Sequence, residues 1–347
     1  MNYFIKNYNR TNVKFFSFLG RVFLFLKFKL FNFNYINKIE KKKNYDKKVI
    51  YDAFFKLLKY SYNNIKFYKD YYDSLNFDIN SVKTFADIKK VPVINKDILN
   101  TYTQESRISK GKRFIKSNTG GTSGNTLSIY NDTESNKREY FHIQRIFNDN
   151  NDDNSLIKLK FRGKNIGNES YYYNFLENEF IVNPSSNEKK FFKDLEKILK
   201  SFKIFYLHGY PSFIYDFSLK LKEFNIDLFK KLFSNIKVIF FGSEYPPKHI
   251  RNFFENELNI KTVSWYGHSE CAVLAYEKDE IYKYYPFQLT YGYCEAKKYN
   301  NDYHLIGTTL MNFTSPLIRY DTEDLIDSIN YKDEVLHSFK ISRGRLG

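Results

Sequence analysis

From Val49 to Tyr72 aromatic and aliphatic residues recur at three- and four-residue intervals, the spacing of one helical face, and most of the chain before Ser117 reads this way. After Ser117 the period alternates. A helix is expected from about Glu134 to Phe147, a strand at Leu156 to Phe161 (LIKLKF), and a helix at Ser186 to Phe202. A strand at Ile204 to Leu207, a helix from Ser212 to Phe224 and a strand at Lys237 to Phe241 (KVIFF) follow. The next helix, Pro247 to Leu258, opens on a proline suited to a first turn, and a further strand reaches Trp265. Strands and helices in alternation predict an α/β fold: a parallel sheet covered by helices. The last third turns to a β pattern, YHLIGTTLMNF at Tyr303 to Phe313, before PLIRYDTEDL at Pro316 to Leu325. No repeat is evident, and NDNNDDN at Asn148 to Asn154 reads as a solvated loop.

In parallel sheets ligands sit beyond the carboxyl ends of the strands, which singles out two loops. GSEYPP at Gly242 to Pro247 and YGHSE at Tyr266 to Glu270 each set a carboxylate, Glu244 or Glu270, beside a glycine and a hydroxyl. A third stretch, SNTGGTSGNT at Ser117 to Thr126, is unusually bare. Gly120, Gly121 and Gly124 free the backbone for close approach, and Thr119, Thr122 and Ser123 add donors, a set suited to phosphate oxygens. It is no Walker A loop, since Asn125 follows Gly124 where a lysine is needed, and it lacks the dinucleotide G-x-G-x-x-G. Taken alone, such a loop is more often an ordinary flexible turn.

Composition narrows the class. With 347 residues, 42% hydrophobic and 20% aromatic, the chain is globular, with a core large enough for one large domain or two packed ones. The net charge of +16 invites a polyanion, but the basic residues are scattered and no nucleic-acid-binding signature accompanies them, so no nucleic-acid partner is expected. Cys271 and Cys294 form neither a zinc motif nor a disulfide framework, which points to a reducing, cytoplasmic compartment. The apolar run Phe15 to Ile36 is broken by Arg21, Lys27 and Lys29, too short for a spanning helix, and has no small-residue cleavage site. It suits a helix lying on the core or in a membrane interface.

The Ser117 to Thr126 loop resembles the phosphate-binding signature of the adenylate-forming superfamily of acyl- and aryl-CoA ligases, and further segments follow in that superfamily's order. VPVINKDIL at Val91 to Leu99 looks like the Pro-x-x-x-Lys-x-x-Leu lead-in, and FFGSEYPP like the adenine-side turn. YGHSE resembles the Tyr-Gly-x-Thr/Ser-Glu motif, RYDTEDL the Tyr-x-Thr-Gly-Asp motif, and SRGRLG at Ser342 to Gly347 the Gly-Arg hinge. LKFRGK, YLHGYPSFIY and PLIRYDTED look most like the phenylacetate-CoA ligase-like capsular polysaccharide biosynthesis proteins.

The resemblance implies a large adenylation domain with parallel sheets covered by helices and a smaller β-rich subdomain. Residues 1–110 would be its mainly helical N-terminal part, and 111–347 the α/β nucleotide-binding core ending at the hinge. The chain stops two residues past Arg345, where a C-terminal lid domain would follow, so it reads as a fragment or as a domain without its lid. The implied reaction is ATP-dependent activation of a small-molecule carboxylate as an acyl-adenylate. It would serve acyl or aminoacyl modification in capsule or surface polysaccharide biosynthesis, with coenzyme A among the conceivable acceptors and other polysaccharide-biosynthesis proteins as partners.

By the same resemblance, Thr119, Thr122, Ser123 and the amides of Gly120, Gly121 and Gly124 would grip phosphates. Glu270 would hold Mg²⁺, which favours carboxylate and phosphate oxygens. Gly242, Ser243 and Glu244, with Tyr266, Gly267, His268 and Ser269, would line the nucleotide pocket, a core role for Tyr266 being nearly as good. Asp324 would accept the ribose hydroxyls, and Arg345 would reach ribose or phosphate. Glu323 stands where the family has glycine, and Asp321 reads as a solvated neighbour. His208 and Tyr210 are candidates for the acyl-substrate wall. A Cys271–His268 nucleophile pair lacks a third, orienting group and is set aside. Two other readings stay open: a nucleotide-sugar glycosyltransferase using Asp149 to Asp153 as a metal clamp, and a membrane-associated assembly factor built on Phe15 to Ile36.

Overall fold

The computed structural model describes residues 4–5, 13–20, 22, 26, 46–118, 126–150, 156–161, 169–175, 177–183 and 188–343. The chain divides into two compact units, Met1–Asn34 with Arg145–Trp265 and Tyr35–Gln144 with Tyr266–Gly347. Each unit is therefore built from two separated stretches, and position 110 falls inside the second.

The first unit is the expected α/β element. Its sheet runs Glu179–Val182, Ile157–Phe161, Ile204–Gly209, Val238–Phe241 and Lys261–Gly267, all parallel, with Tyr171–Asn174 and then Phe4–Ile5 added antiparallel at one edge. All four residues of Val238–Phe241 are buried, because a parallel strand is covered on both faces and reads as an unbroken apolar run. Helices Glu188–Ser201, Pro211–Phe224 and Ile226–Phe233 supply Phe192, Leu195, Ile214, Phe217, Leu221 and Leu232 to the core formed with Leu159, Leu207 and Ile239. The predicted helix Pro247 to Leu258 is α only over Lys248–Asn252. It continues as a π-turn, Phe253–Glu257, closed by the Leu258 amide on the Phe253 carbonyl.

The second unit joins helices to an antiparallel sheet. The helical pattern from Val49 is two helices, Lys47–Asn64 and Lys66–Ser74, broken at extended Ile65. There the Asn64 side chain donates to the Tyr60 carbonyl and competes with the helical ladder. Strands Leu274–Glu277, Tyr284–Pro286, Val335–Arg343, Tyr320–Lys332, Asp302–Thr308 and Tyr293–Tyr299 pair antiparallel in that order. A hairpin, Phe114–Asn118 with Ser128–Asp132, pairs from Asn118 opposite Ser128 and so brackets the glycine loop. Fully buried Tyr68 ties the helices to the β segment: its hydroxyl donates to the Pro316 carbonyl at 2.8 Å and accepts the Ile318 amide at 2.9 Å.

Candidate functional site

Two of the segments singled out in the sequence meet in the second unit. Ile94, within VPVINKDIL, bridges to Tyr320 within RYDTEDL; its amide donates to the Arg319 carbonyl at 3.1 Å and its carbonyl accepts the Asp321 amide at 2.8 Å. Arg319 is buried with φ +52°, ion-paired to Glu295 at 2.5 Å and bonded to the Lys89 and Val91 carbonyls. One guanidinium therefore holds the segment before the glycine loop against the strand that carries Asp324.

The YGHSE and RYDTEDL segments also converge. The Tyr266 hydroxyl donates to Asp324 Oδ2 at 2.6 Å, and the Tyr320 hydroxyl donates to Glu270 Oε1 at 3.1 Å. His268 Nε2 accepts the Val273 amide at 3.2 Å, which leaves Nδ1 as the protonated nitrogen, facing Glu270 Oε2 at 2.9 Å. Glu270 is 1% exposed and Asp324 8%. Two buried carboxylates are thus each met by a tyrosine hydroxyl, and the charges of both act on Tyr266. Burial, with the adjacent Asp324 charge, pushes the Tyr266 phenol well above its ordinary pKa, so it stays a donor. Its ring packs edge-on to Phe339, and its hydroxyl positions Asp324. Gly267 and Ser269 are exposed on the same turn.

Two sequence readings change here. Asp321 is not solvated: it is buried, faces His304 Nδ1 at 3.1 Å and accepts the Glu323 amide at 2.8 Å. Glu323, where the resembled motif has glycine, has φ +63°, so this turn is left-handed without glycine, and the Asp321 side chain braces it.

In the first unit, His208, Tyr210, Gly242, Ser243 and Glu244 lie at the carboxyl ends of the central strands. A Cβ on Gly209 would sit 2.6 Å from the Phe161 carbonyl oxygen, and one on Gly242 2.7 Å from the Trp265 ring, so only glycine allows these turns to pack. His208 packs against Trp265 at 5.0 Å and Phe147 at 5.5 Å between ring centroids. Ser243 has φ +68°. Glu244 accepts the Ser212 hydroxyl at 2.7 Å and amide at 3.3 Å, placing its charge at the N-terminus of Pro211–Phe224. Thr119, Gly120, Gly121, Thr122, Ser123, Gly124 and Arg345 lie outside the described residues.

Sequence reading quoted Tyr320 as the tyrosine of RYDTEDL but gave it no role; the structure sets its hydroxyl on Glu270. Sequence reading also missed a polar lining beside Glu270: Asn131, Arg138, Cys271, Tyr291 and Asn312 enclose a cavity of about 20 Å³. Glu139, pushed up by burial, accepts the Tyr291 hydroxyl there. Lys96, quoted only as part of a motif, is buried and makes no ion pair among the described residues.

No protein-family model matches the chain. In sequence it is similar to Protein CapK of Staphylococcus aureus, 23% identical over 287 residues, covering 81% of this chain and 62% of CapK. In structure it is similar to an open conformation of 2-hydroxyisobutyryl-CoA ligase in complex with 2-HIB-AMP and CoA, at TM-score 0.62 and 15% identity over 86% of this chain and 69% of that one. The fold is that of the adenylate-forming ligases. An acyl acid amido synthetase, AtGH3.15 in complex with 2,4-DB, shares this adenylate-forming fold at TM-score 0.54 and 14% identity, over 88% of this chain and 69% of that one. The chain spans less than two thirds of CapK. Among the described residues no group of three or more His, Cys, Asp and Glu gathers in a way that could hold a metal, and no helix is long and apolar enough to cross a membrane.

Proposed function

We propose that the chain belongs to an AMP-forming carboxylate ligase acting in surface-polysaccharide modification, and that its second unit contributes the ribose-side and metal-side carboxylates. The observation that carries the reading is the convergence of Tyr266, Glu270 and Asp324. The adenylate-forming fold and the similarity to CapK support it.

In the reaction, a substrate carboxylate oxygen forms a bond to the α-phosphorus of ATP while the bond to the bridging oxygen breaks, releasing pyrophosphate. Asp324, with one oxygen held by Tyr266, would accept the ribose hydroxyls, as a two-oxygen acceptor can. Glu270, oriented by Tyr320 and His268, would offer its carboxylate to Mg²⁺, which favours carboxylate and phosphate oxygens. Mg²⁺ would neutralise charge building on the phosphate oxygens. Donors fixed before the reaction stabilise that charge without reorganising. The polysaccharide role and the reducing compartment belong to this proposal and rest on the likeness to CapK and on the two free cysteines.

The test is ATP–pyrophosphate exchange over a panel of carboxylates with Mg²⁺. Glu270→Ala and Asp324→Ala should each lower exchange by about a hundredfold or more. Exchange unchanged in both variants would reject the site.

A further inference from the structure

The N-terminal helical residues of the first unit have two different faces. Val13 and Ser17 are buried, the Val13 carbonyl accepts the Tyr173 hydroxyl at 3.3 Å, and Phe16 packs on Phe175 at 5.8 Å between centroids. The opposite face carries Phe15, Phe18, Leu19, Val22 and Leu26, at 58%, 65%, 41%, 42% and 53% exposure. Phe15, Phe18 and Leu19 share one stripe of the helical residues 13–20, and helical Val22 and Leu26 follow at intervals that suit the same stripe. A soluble helix ordinarily turns charge outward at these positions; this one turns out large apolar side chains, an arrangement that marks an interaction surface.

The charge around the stripe identifies what it meets. Seven Lys and Arg and no Asp or Glu precede Glu40. Lys14 is exposed on the same helix and, with Lys200 and Lys203 from another part of the unit, lines a cavity of about 690 Å³ that also contains Phe18. Apolar side chains among cations, with no acidic residue in the segment, are complementary to a layer that is anionic at its surface and apolar beneath. No described helix could cross such a layer, so the helix would lie in its plane.

We propose that the stripe of Phe15, Phe18, Leu19, Val22 and Leu26 is a membrane-docking surface that lies in the interface of an anionic bilayer, its apolar side chains among the acyl chains and Lys14 and Lys203 against the headgroups. The surface belongs to the first unit and the carboxylate site to the second, and its test needs no nucleotide. Flotation of the full chain with vesicles of phosphatidylcholine containing about one part in four phosphatidylglycerol should show binding at least tenfold tighter than with phosphatidylcholine alone. A Phe15→Ser, Phe18→Ser, Leu19→Ser variant should lose about tenfold or more of that binding at an unchanged melting temperature. The charge reversals Lys14→Glu and Lys203→Glu, which disturb no core contact, should weaken binding severalfold, with the difference fading in high salt.

Equal binding of wild type and both variants, or no preference for anionic vesicles, overturns the proposal. So does a fall in melting temperature of the serine variant with vesicle binding intact, which would mean that another part of the chain covers the stripe. A lipid-free dimer in sedimentation equilibrium that the serine variant abolishes, with no flotation of the wild type, would assign the face to a second copy of the chain.

Discussion

Tyr266 donates its hydroxyl to Asp324 at 2.6 Å, joining a side chain at the end of one strand to a carboxylate 58 residues further along the chain. This hydroxyl is committed to Asp324. Tyr266→Phe should therefore act through Asp324 more than through lost ring contact. Removing a donor to a buried charged group costs about 1 to 3 kcal/mol, so a drop of this size in urea unfolding is expected, with the KM for ATP in exchange raised about tenfold. Loss of stability with ATP dependence unchanged would confine Tyr266 to the core.

Glu323 has φ +63° in a turn where the related motif has glycine. The left-handed region costs an ordinary residue about 1 to 2 kcal/mol, while glycine gives back about 0.4 to 1 kcal/mol through the freedom it adds to the unfolded chain. Glu323→Gly should therefore raise stability by up to about 1 kcal/mol in denaturant unfolding. Asp321→Ala, which removes the acceptor for the Glu323 amide, should lower it. A destabilised Glu323→Gly would mean that the glutamate side chain, not the turn, matters at this position.

The parallel sheet was legible because buried strands such as KVIFF and amphipathic helices such as Glu188–Ser201 carry their periods openly. The hairpin of Tyr171–Asn174 and Glu179–Val182 was not: all eight residues are buried, so no alternation marks them. Helix Ile226–Phe233 is only eight residues long and escaped notice, although Asn225 caps it through its side chain. In the site, Glu270 and Asp324 could be singled out because short motifs flag them. Tyr320 and Arg319, which hold them in place, could not, since their partners lie 50 and 24 residues away and only the folded sheet brings them into reach. Asp321 was misread because nothing local reveals His304 across the neighbouring strand.

Arg319 and Glu295 form a buried pair, and the same guanidinium satisfies the carbonyls of Lys89 and Val91. Removing one partner leaves an uncompensated charge in a nearly dry site. Arg319→Met should cost about 3 to 5 kcal/mol, and adding Glu295→Met should recover part of that loss. Additive losses in the double variant would show that the carbonyl contacts, not the ion pair, fasten this segment.

Cys271 is partly exposed, yet burial of its thiol and the nearby Glu139 charge push its pKa up to about 12; Cys294 is raised by burial as well. Reactivity follows the thiolate, so exposure alone does not make Cys271 a nucleophile. At pH 8 the folded protein should react with a disulfide reagent about a thousandfold more slowly than the urea-unfolded chain at both cysteines. Rapid labelling of folded Cys271 would reopen its pairing with His268.

Tyr68, Tyr72, Tyr266, Tyr291 and Tyr293 are all raised, with burial the first cause in each. The neutral phenol is the form the fold keeps, and the unfolded chain loses these protons near pH 10. The sign follows: their contribution is fully present below about pH 10 and is lost as pH rises beyond it, because only the unfolded state then releases the protons. Each such phenol removes up to about 1.4 kcal/mol per pH unit, so five acting together would exhaust ordinary domain stability within about two units. The urea midpoint should be insensitive to these tyrosines between about pH 7 and 9.5 and fall steeply above about pH 10, with part of the tyrosinate absorbance appearing only on unfolding. A midpoint that stays level to about pH 11.5 would mean that these rings reach solvent more readily than their burial indicates.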